Sequence, residues 1–152
     1  RVLILGAGGA ARGVLAPVLE QCPASLTIAN RTAATAQTLA DDFADLGHVQ
    51  AGGFDSLNAR QFDLVINATA ASLQGEVPPL PADLLSAEAY CYDMMYASQP
   101  TAFMHWASQH EAAHIADGLG MQVGQAAESF LVWRGVQPEV LPVKKIQIYS
   151  NR

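Results

Sequence analysis

A short apolar run, Val2 to Leu5, stops at the segment Gly6-Ala7-Gly8-Gly9-Ala10-Ala11-Arg12-Gly13. Ala11, Leu15, Val18 and Leu19 then recur at the spacing of one helical face. Few patterns restrict a fold as strongly, because a buried strand must turn sharply and open directly into a helix. Gly6, Gly8 and Ala11 stand in the three positions of the G-x-G-x-x-A dinucleotide fingerprint. Gly6 suits the tight turn, and the missing side chain at Gly8 lets a pyrophosphate reach the backbone. The helix start adds unpaired N–H groups and partial positive charge for the anion. Nucleotide binding is the functional expectation, against the plainer alternative of a structural glycine turn. Pro17 sits awkwardly in this helix, where it costs ~3 kcal/mol or more unless the segment bends.

Leu26 to Ala29 reads as a second strand, followed by Thr32 as helix cap, by Ala36, Leu39, Ala40 and Phe43 on one face, and by Gly47 as the stop. Val49 to Ala51, Leu64 to Asn67, Tyr90 to Asp93 and His114 to Asp117 read as further parallel strands. Helices are expected over Thr101 to Gln109, Met121 to Arg134 and part of Glu139 to Tyr149, with a loop at Pro78, Pro79 and Pro81. This alternation predicts an α/β fold with a doubly wound, Rossmann-like parallel sheet. Such sheets bind ligands beyond the carboxyl ends of their strands, where the strand order reverses.

Only 14% of the 152 residues are charged and 51% are apolar. Against the ~25% charge usual for soluble domains, this predicts a surface partly covered by another domain or subunit. The net charge of −6 opposes nucleic acid and anionic membranes as partners. No apolar run approaches the ~20 residues of a membrane span, and the chain reads as cytoplasmic. Cys22 and Cys91 fit no zinc spacing and are expected to be buried apolar side chains. The chain starts at Arg1 directly on a strand that is normally central, which reads as the latter part of a longer, two-domain protein.

Asn30 and Arg31 stand at the end of the second strand, where NAD-binding proteins usually place an Asp or Glu for the ribose hydroxyls. A guanidinium attracts a 2′-phosphate that a carboxylate would repel. With backbone donors after Thr32, the expected cofactor is NADP rather than NAD. The alternative is an arginine solvated in a surface turn.

Five segments together carry a family resemblance: GAGGAARG from Gly6, NRT from Asn30, NAT from Asn67, YDMMY from Tyr92, and DGLGMQVGQAAESFLVWRGVQP from Asp117 to Pro138. The chain resembles the C-terminal, NADP-binding domain of shikimate dehydrogenases over residues 1–142, leaving 143–152 as a tail without a confident counterpart. The resemblance implies that Gly6, Ala7, Gly8, Gly9 and Ala10 form the pyrophosphate loop and that Asn30, Arg31 and Thr32 hold the 2′-phosphate. It implies Met94 and Gly118 beside the nicotinamide, and Tyr96 and Gln125 against shikimate. Gln122, Gln125 and Ser129 independently form a polar helix stripe opposite Val123, Ala127, Phe130 and Leu131, suited to a polyhydroxylated ring. Against the family pattern, Thr35 stands where a second basic residue is frequent, Ser72 replaces a usual glycine, and Ala102 a common proline.

Oxidising an alcohol by hydride transfer also needs a group that takes the hydroxyl proton. The only lysines, Lys144 and Lys145, are in the tail, and His48, His105, His110 and His114 follow no catalytic or metal motif. Asp93 and Asp117 end strands on the ligand side, where an exposed carboxylate is a poor base for an alcohol. No catalytic and no metal-binding residue is therefore assigned. The family keeps its catalytic lysine and aspartate in an N-terminal domain. The resemblance thus implies that the whole protein reduces 3-dehydroshikimate reversibly with NADPH, while this chain alone is inactive. The small-molecule substrate would be shared with that N-terminal domain, and a homodimer is compatible with the reading. Quinate/shikimate dehydrogenases, the NADP domain of glutamyl-tRNA reductase and a non-enzymatic NADP-sensing module are the alternatives.

Overall fold

The computed structural model describes residues 1–140. Six parallel strands form one sheet in the order β3-β2-β1-β4-β5-β6: β1 Val2–Leu5, β2 Leu26–Ala29, β3 Gln50–Gly52, β4 Phe62–Asn67, β5 Leu85–Asp93 and β6 His114–Ala116. This is the doubly wound order, with its reversal between β1 and β4. The helices are α1 Gly9–Glu20, α2 Ala33–Asp41, α3 Ala102–Gln109 and α4 Leu119–Arg134. The helix expected over part of Glu139 to Tyr149 and the tail 143–152 lie outside the described residues, save 139 and 140, which are not helical.

The strands at the middle of the sheet are apolar on both faces because helices cover both. Val2, Ile4, Leu26, Ile28 and Ile66 pack with Ala11, Leu15, Ala36 and Leu39 from α1 and α2. Leu3, Leu5, Val65 and Cys91 pack on the opposite face with Phe103 and Ala107 from α3. Beyond the reach of α1, Leu64, Ile66, Tyr90, Tyr92, His114 and Ala116 line an open apolar groove.

Several expectations need correction. α1 runs through Pro17. Both Pro17 and Gly13, whose carbonyl loses its i+4 donor, are exposed, so water can satisfy that carbonyl. α2 stops at Asp41, short of Phe43, and the chain continues in turns before Gly47. Thr32 occupies the N-cap of α2, but its hydroxyl makes no capping bond; Asn30 Nδ2 instead donates to the Thr32 carbonyl at 3.0 Å. β5 extends back to Leu85, with a register shift against β4 between Phe62 and Leu64 that lets the longer strand follow its neighbour. Cys91 is buried, whereas Cys22 is exposed in a left-handed turn (φ 51°) after α1.

Candidate nucleotide site at the carboxyl edge of the sheet

The turn after β1 leads straight into α1. Gly6 adopts φ +97°, and a Cβ there would approach the Ala68 carbonyl oxygen to 3.0 Å, so the turns following β1 and β4 meet without room for a side chain. Its N–H donates to the Ala29 carbonyl at 2.8 Å, and Ala68 N–H to Leu5 at 2.8 Å, which carries the sheet ladder one residue past the strand ends. Gly8 caps α1, and Gly8, Gly9 and Ala10 are exposed. Nothing lies within 4 Å of the positions a Cβ would take at Gly8 or Gly9. The first turn of α1 holds no acidic residue. The first N–H groups of α1 therefore face open space without a competing carboxylate.

Asn30 and Arg31 follow β2 on the same edge, the Asn30 N–H donating to Gly52 at 3.0 Å. The Arg31 side chain is exposed and, among the described residues, makes no ion pair. Arg12, by contrast, is committed to Asp42 and lies over the Phe43 ring at 5.7 Å. Arg31 is thus the cation left free at this end of β2.

Met94 follows β5, and Gly118 precedes α4. A Cβ on Gly118 would lie 2.0 Å from the Met94 carbonyl oxygen, and the Gly118 N–H donates to the Met95 carbonyl at 2.9 Å. Two residues assigned separately from the sequence are neighbours in space. Gly118 is the N-cap of α4, and just before it Asp117 Oδ1 accepts from Leu119 N–H at 3.1 Å. Tyr96 lines an apolar groove with Gln122, Val123, Ala126, Ala127 and Phe130. Gln125 is exposed and is not part of that lining. The expected apolar side of α4 is only partly sheltered: Val123 and Ala127 are buried and Leu131 half-buried, but Phe130 is 45% exposed.

Sequence reasoning missed a buried polar cluster. Asn67 and Asp93 end adjacent strands as register partners, and both are fully buried. Asp93, expected to be exposed, accepts from Thr101 Oγ1 (2.6 Å), Ser72 Oγ (2.9 Å), Met95 N–H (3.0 Å) and Asn67 Nδ2 (3.1 Å). Asn67 Oδ1 in turn accepts from the Thr69 hydroxyl at 2.7 Å, and the Thr101 hydroxyl caps α3 by accepting from Met104 N–H. The signal available was a polar residue closing each of two otherwise apolar strands, followed by Thr69, Ser72 and Thr101. Nearby, burial together with the carboxylates of Asp117 and Asp93 pushes the Tyr92 phenol up. Burial also pushes the Cys91 thiol up to about 12.

His110 bonds the Trp106 carbonyl through Nδ1 at 2.8 Å and stacks on the Trp106 ring; His114 stacks on Tyr90. Both belong to packing far from the glycine turn. Among the described residues no group of three His, Cys, Asp or Glu side chains could hold a metal ion, and no helix is long and apolar enough to cross a membrane.

The family model of shikimate/quinate 5-dehydrogenases matches residues 1–74. An NADP-dependent shikimate dehydrogenase of Cellvibrio japonicus is 62% identical over 143 residues, covering 94% of this chain and 52% of the relative. Over some 143 residues the chain is similar to shikimate dehydrogenases. It spans about half the length of the shikimate dehydrogenases it matches. A crystal structure of an Ael1 enzyme from Pseudomonas putida superposes with TM-score 0.84 at 44% identity, covering 94% of this chain and 52% of that one. A shikimate dehydrogenase solved in complex with NADP+ superposes with TM-score 0.78 at 30% identity, covering 99% and 54%.

Proposed function

We propose that this chain is the C-terminal, NADP-binding portion of a cytoplasmic shikimate dehydrogenase. The single observation that carries the reading is the placement of an open glycine turn and helix start next to Arg31, which makes no ion pair among the described residues, on the carboxyl edge of a sheet whose strand order reverses at β1. Gly6, Ala7, Gly8, Gly9 and Ala10 would hold the pyrophosphate, with the N–H groups of α1 as donors. Arg31 would take the 2′-phosphate, with Asn30 and Thr32 shaping the turn beneath it. Met94 and Gly118 would border the nicotinamide, and Tyr96 and Gln125 the substrate. The groove beside Tyr96 favours Gln122 as an additional neighbour.

NADPH, when bound, supplies the hydride for reducing a ketone such as 3-dehydroshikimate. This chain's residues would bind and orient it, and the described residues include no lysine to move the hydroxyl proton. Burial and the carboxylates of Asp117 and Asp93 push the Tyr92 phenol up, which disfavours its phenolate as a base. The proton would be handled by a second domain, which leaves this chain inactive alone. That domain also accounts for exposed apolar surface: α4 buries only Val123 and Ala127 and leaves Phe130, Val132, Trp133 and the nearby Val136 exposed.

Calorimetric titration of the chain with NADP and NAD tests the reading. Tighter binding of NADP is expected; equal affinities, or none for either, would overturn it. Steady-state turnover of 3-dehydroshikimate by this chain alone would refute the assignment of acid-base chemistry to another domain.

A further inference from the structure

We propose that Asp93 is a positioning residue for the nicotinamide half of the site, acting through the backbone of Met94 and Met95 on Gly118 and the start of α4. The inference rests on the NADP reading above and assigns a task to a group which that reading leaves unused.

Asp93 is fully buried, and its two oxygens accept four hydrogen bonds, three of them from separate segments outside the sheet. Ser72 belongs to the 3₁₀ turn after β4, Met95 to the loop after β5, and Thr101 to the N-cap of α3. Asn67, the fourth donor, is its register partner on β4. A buried carboxylate is costly unless its acceptor capacity is filled, and a complete set of donors fixes whatever carries them. Here the set fixes the loop onto which Gly118 folds. Met95 donates its N–H to Asp93 Oδ1 and accepts the Gly118 N–H on its carbonyl, so a single residue links the buried carboxylate to the entrance to α4. Met94, whose N–H donates to Asn67 O at 3.0 Å, presents its carbonyl against Gly118 at a distance that tolerates no Cβ. This packing leaves no slack, so a shift at Asp93 must move Met94 and Gly118 together. Among the described residues, Asp93 shares no hydrogen bond with the glycine turn or Arg31; Gly6 meets the cluster only by packing against Ala68 and Thr69, so the adenosine half of the site is less directly coupled to Asp93 than Met94 and Gly118 are.

The experiment compares NADPH with adenosine 2′,5′-bisphosphate, which carries the adenosine half alone, on the full chain and its Asp93→Asn, Thr101→Val and Ser72→Gly variants. Thermal unfolding is recorded for each. Asp93→Asn is expected to weaken NADPH ~10-fold and to lose the shift in NADPH fluorescence on binding, while adenosine 2′,5′-bisphosphate stays within ~2-fold. Thr101→Val and Ser72→Gly should show the same selectivity at ~3-fold. If Asp93→Asn does not fold, the other two decide. Equal weakening of both ligands, or no change in either, would overturn the inference and leave Asp93 a purely structural residue. Failure of the unmodified chain to bind adenosine 2′,5′-bisphosphate would instead overturn the NADP reading, and this inference with it.

Discussion

Gly118 lies against the Met94 carbonyl so closely that a Cβ would sit 2.0 Å from its oxygen. Backbone cannot rotate away as a side-chain tip can, so Gly118→Ala must displace the loop after β5 or the start of α4. A cost of ~3 kcal/mol is expected, at the upper end for an overpacked site. Gly8→Ala provides the contrast. Its Cβ would meet nothing within 4 Å, so stability should change by no more than ~1 kcal/mol, the scale of an N-cap exchange. In the proposed role of Gly8 the same Cβ would crowd the pyrophosphate, and NADP affinity should fall at least ~10-fold. Urea unfolding and calorimetry on the two variants measure both effects. Comparable stability losses would refute the distinction between a packed glycine and a ligand-facing one.

Arg31 faces no carboxylate among the described residues, so its guanidinium is available to a phosphate. Arg31→Ala should remove ~1.5 to 3 kcal/mol of the preference for NADP over NAD, the scale of a charge-assisted hydrogen bond. NAD affinity itself should barely change. A variant that keeps its preference would place the 2′-phosphate elsewhere.

Burial raises the Cys91 thiol from 9.0 to about 12, which makes the folded state hold a proton that the unfolded chain releases. Stability from this group is complete below pH 9 and is lost as pH rises toward 12, at about 1.4 kcal/mol per pH unit. In reducing buffer, the unfolding free energy should therefore drop by about 1.4 kcal/mol more between pH 8 and pH 10 than in Cys91→Ala. Cys22, being exposed, should react with a thiol reagent at once, and Cys91 only as the protein unfolds. Equal pH dependence of the two proteins would contradict the burial of Cys91.

Pro17 lies within α1 and denies Gly13 a backbone partner. Its exposed position offers no packing in return. Pro17→Ala should raise stability by ~1 to 3 kcal/mol, reduced from the full helix penalty because proline also restrains the unfolded chain. The midpoint of thermal unfolding checks it, and a lower midpoint would mean that the bend at Pro17 is needed for packing.

Much of the frame was legible in the residues. Val2 to Leu5, the glycine turn and the face of Leu15 specify a strand and helix locally, because each step is a nearest-neighbour constraint on dihedrals or periodicity. Arg31 was legible for the same reason: it follows the second strand directly, and chain continuity places it on the ligand edge. Boundaries were less so. The true lengths of α2 and β5 depend on what packs against Phe43 and Leu85, not on propensity.

Asp93 marks where local reading fails. A carboxylate closing an apolar strand looks solvent-facing, and nothing in its own segment says that Asn67, Ser72 and Thr101 converge on it. That convergence exists because β4 pairs with β5 in one register, which puts Asn67 beside Asp93 and brings two loops and a helix cap over both. The sequence by itself determined the alternating elements, the glycine turn and the cation after β2, since these are encoded within a few residues of one another. Only the tertiary structure decided which strand ends became neighbours, and hence that a buried carboxylate ties together the loops after β4 and β5 and the start of α3; pairing between residues distant in the chain is a property of the packed sheet as a whole.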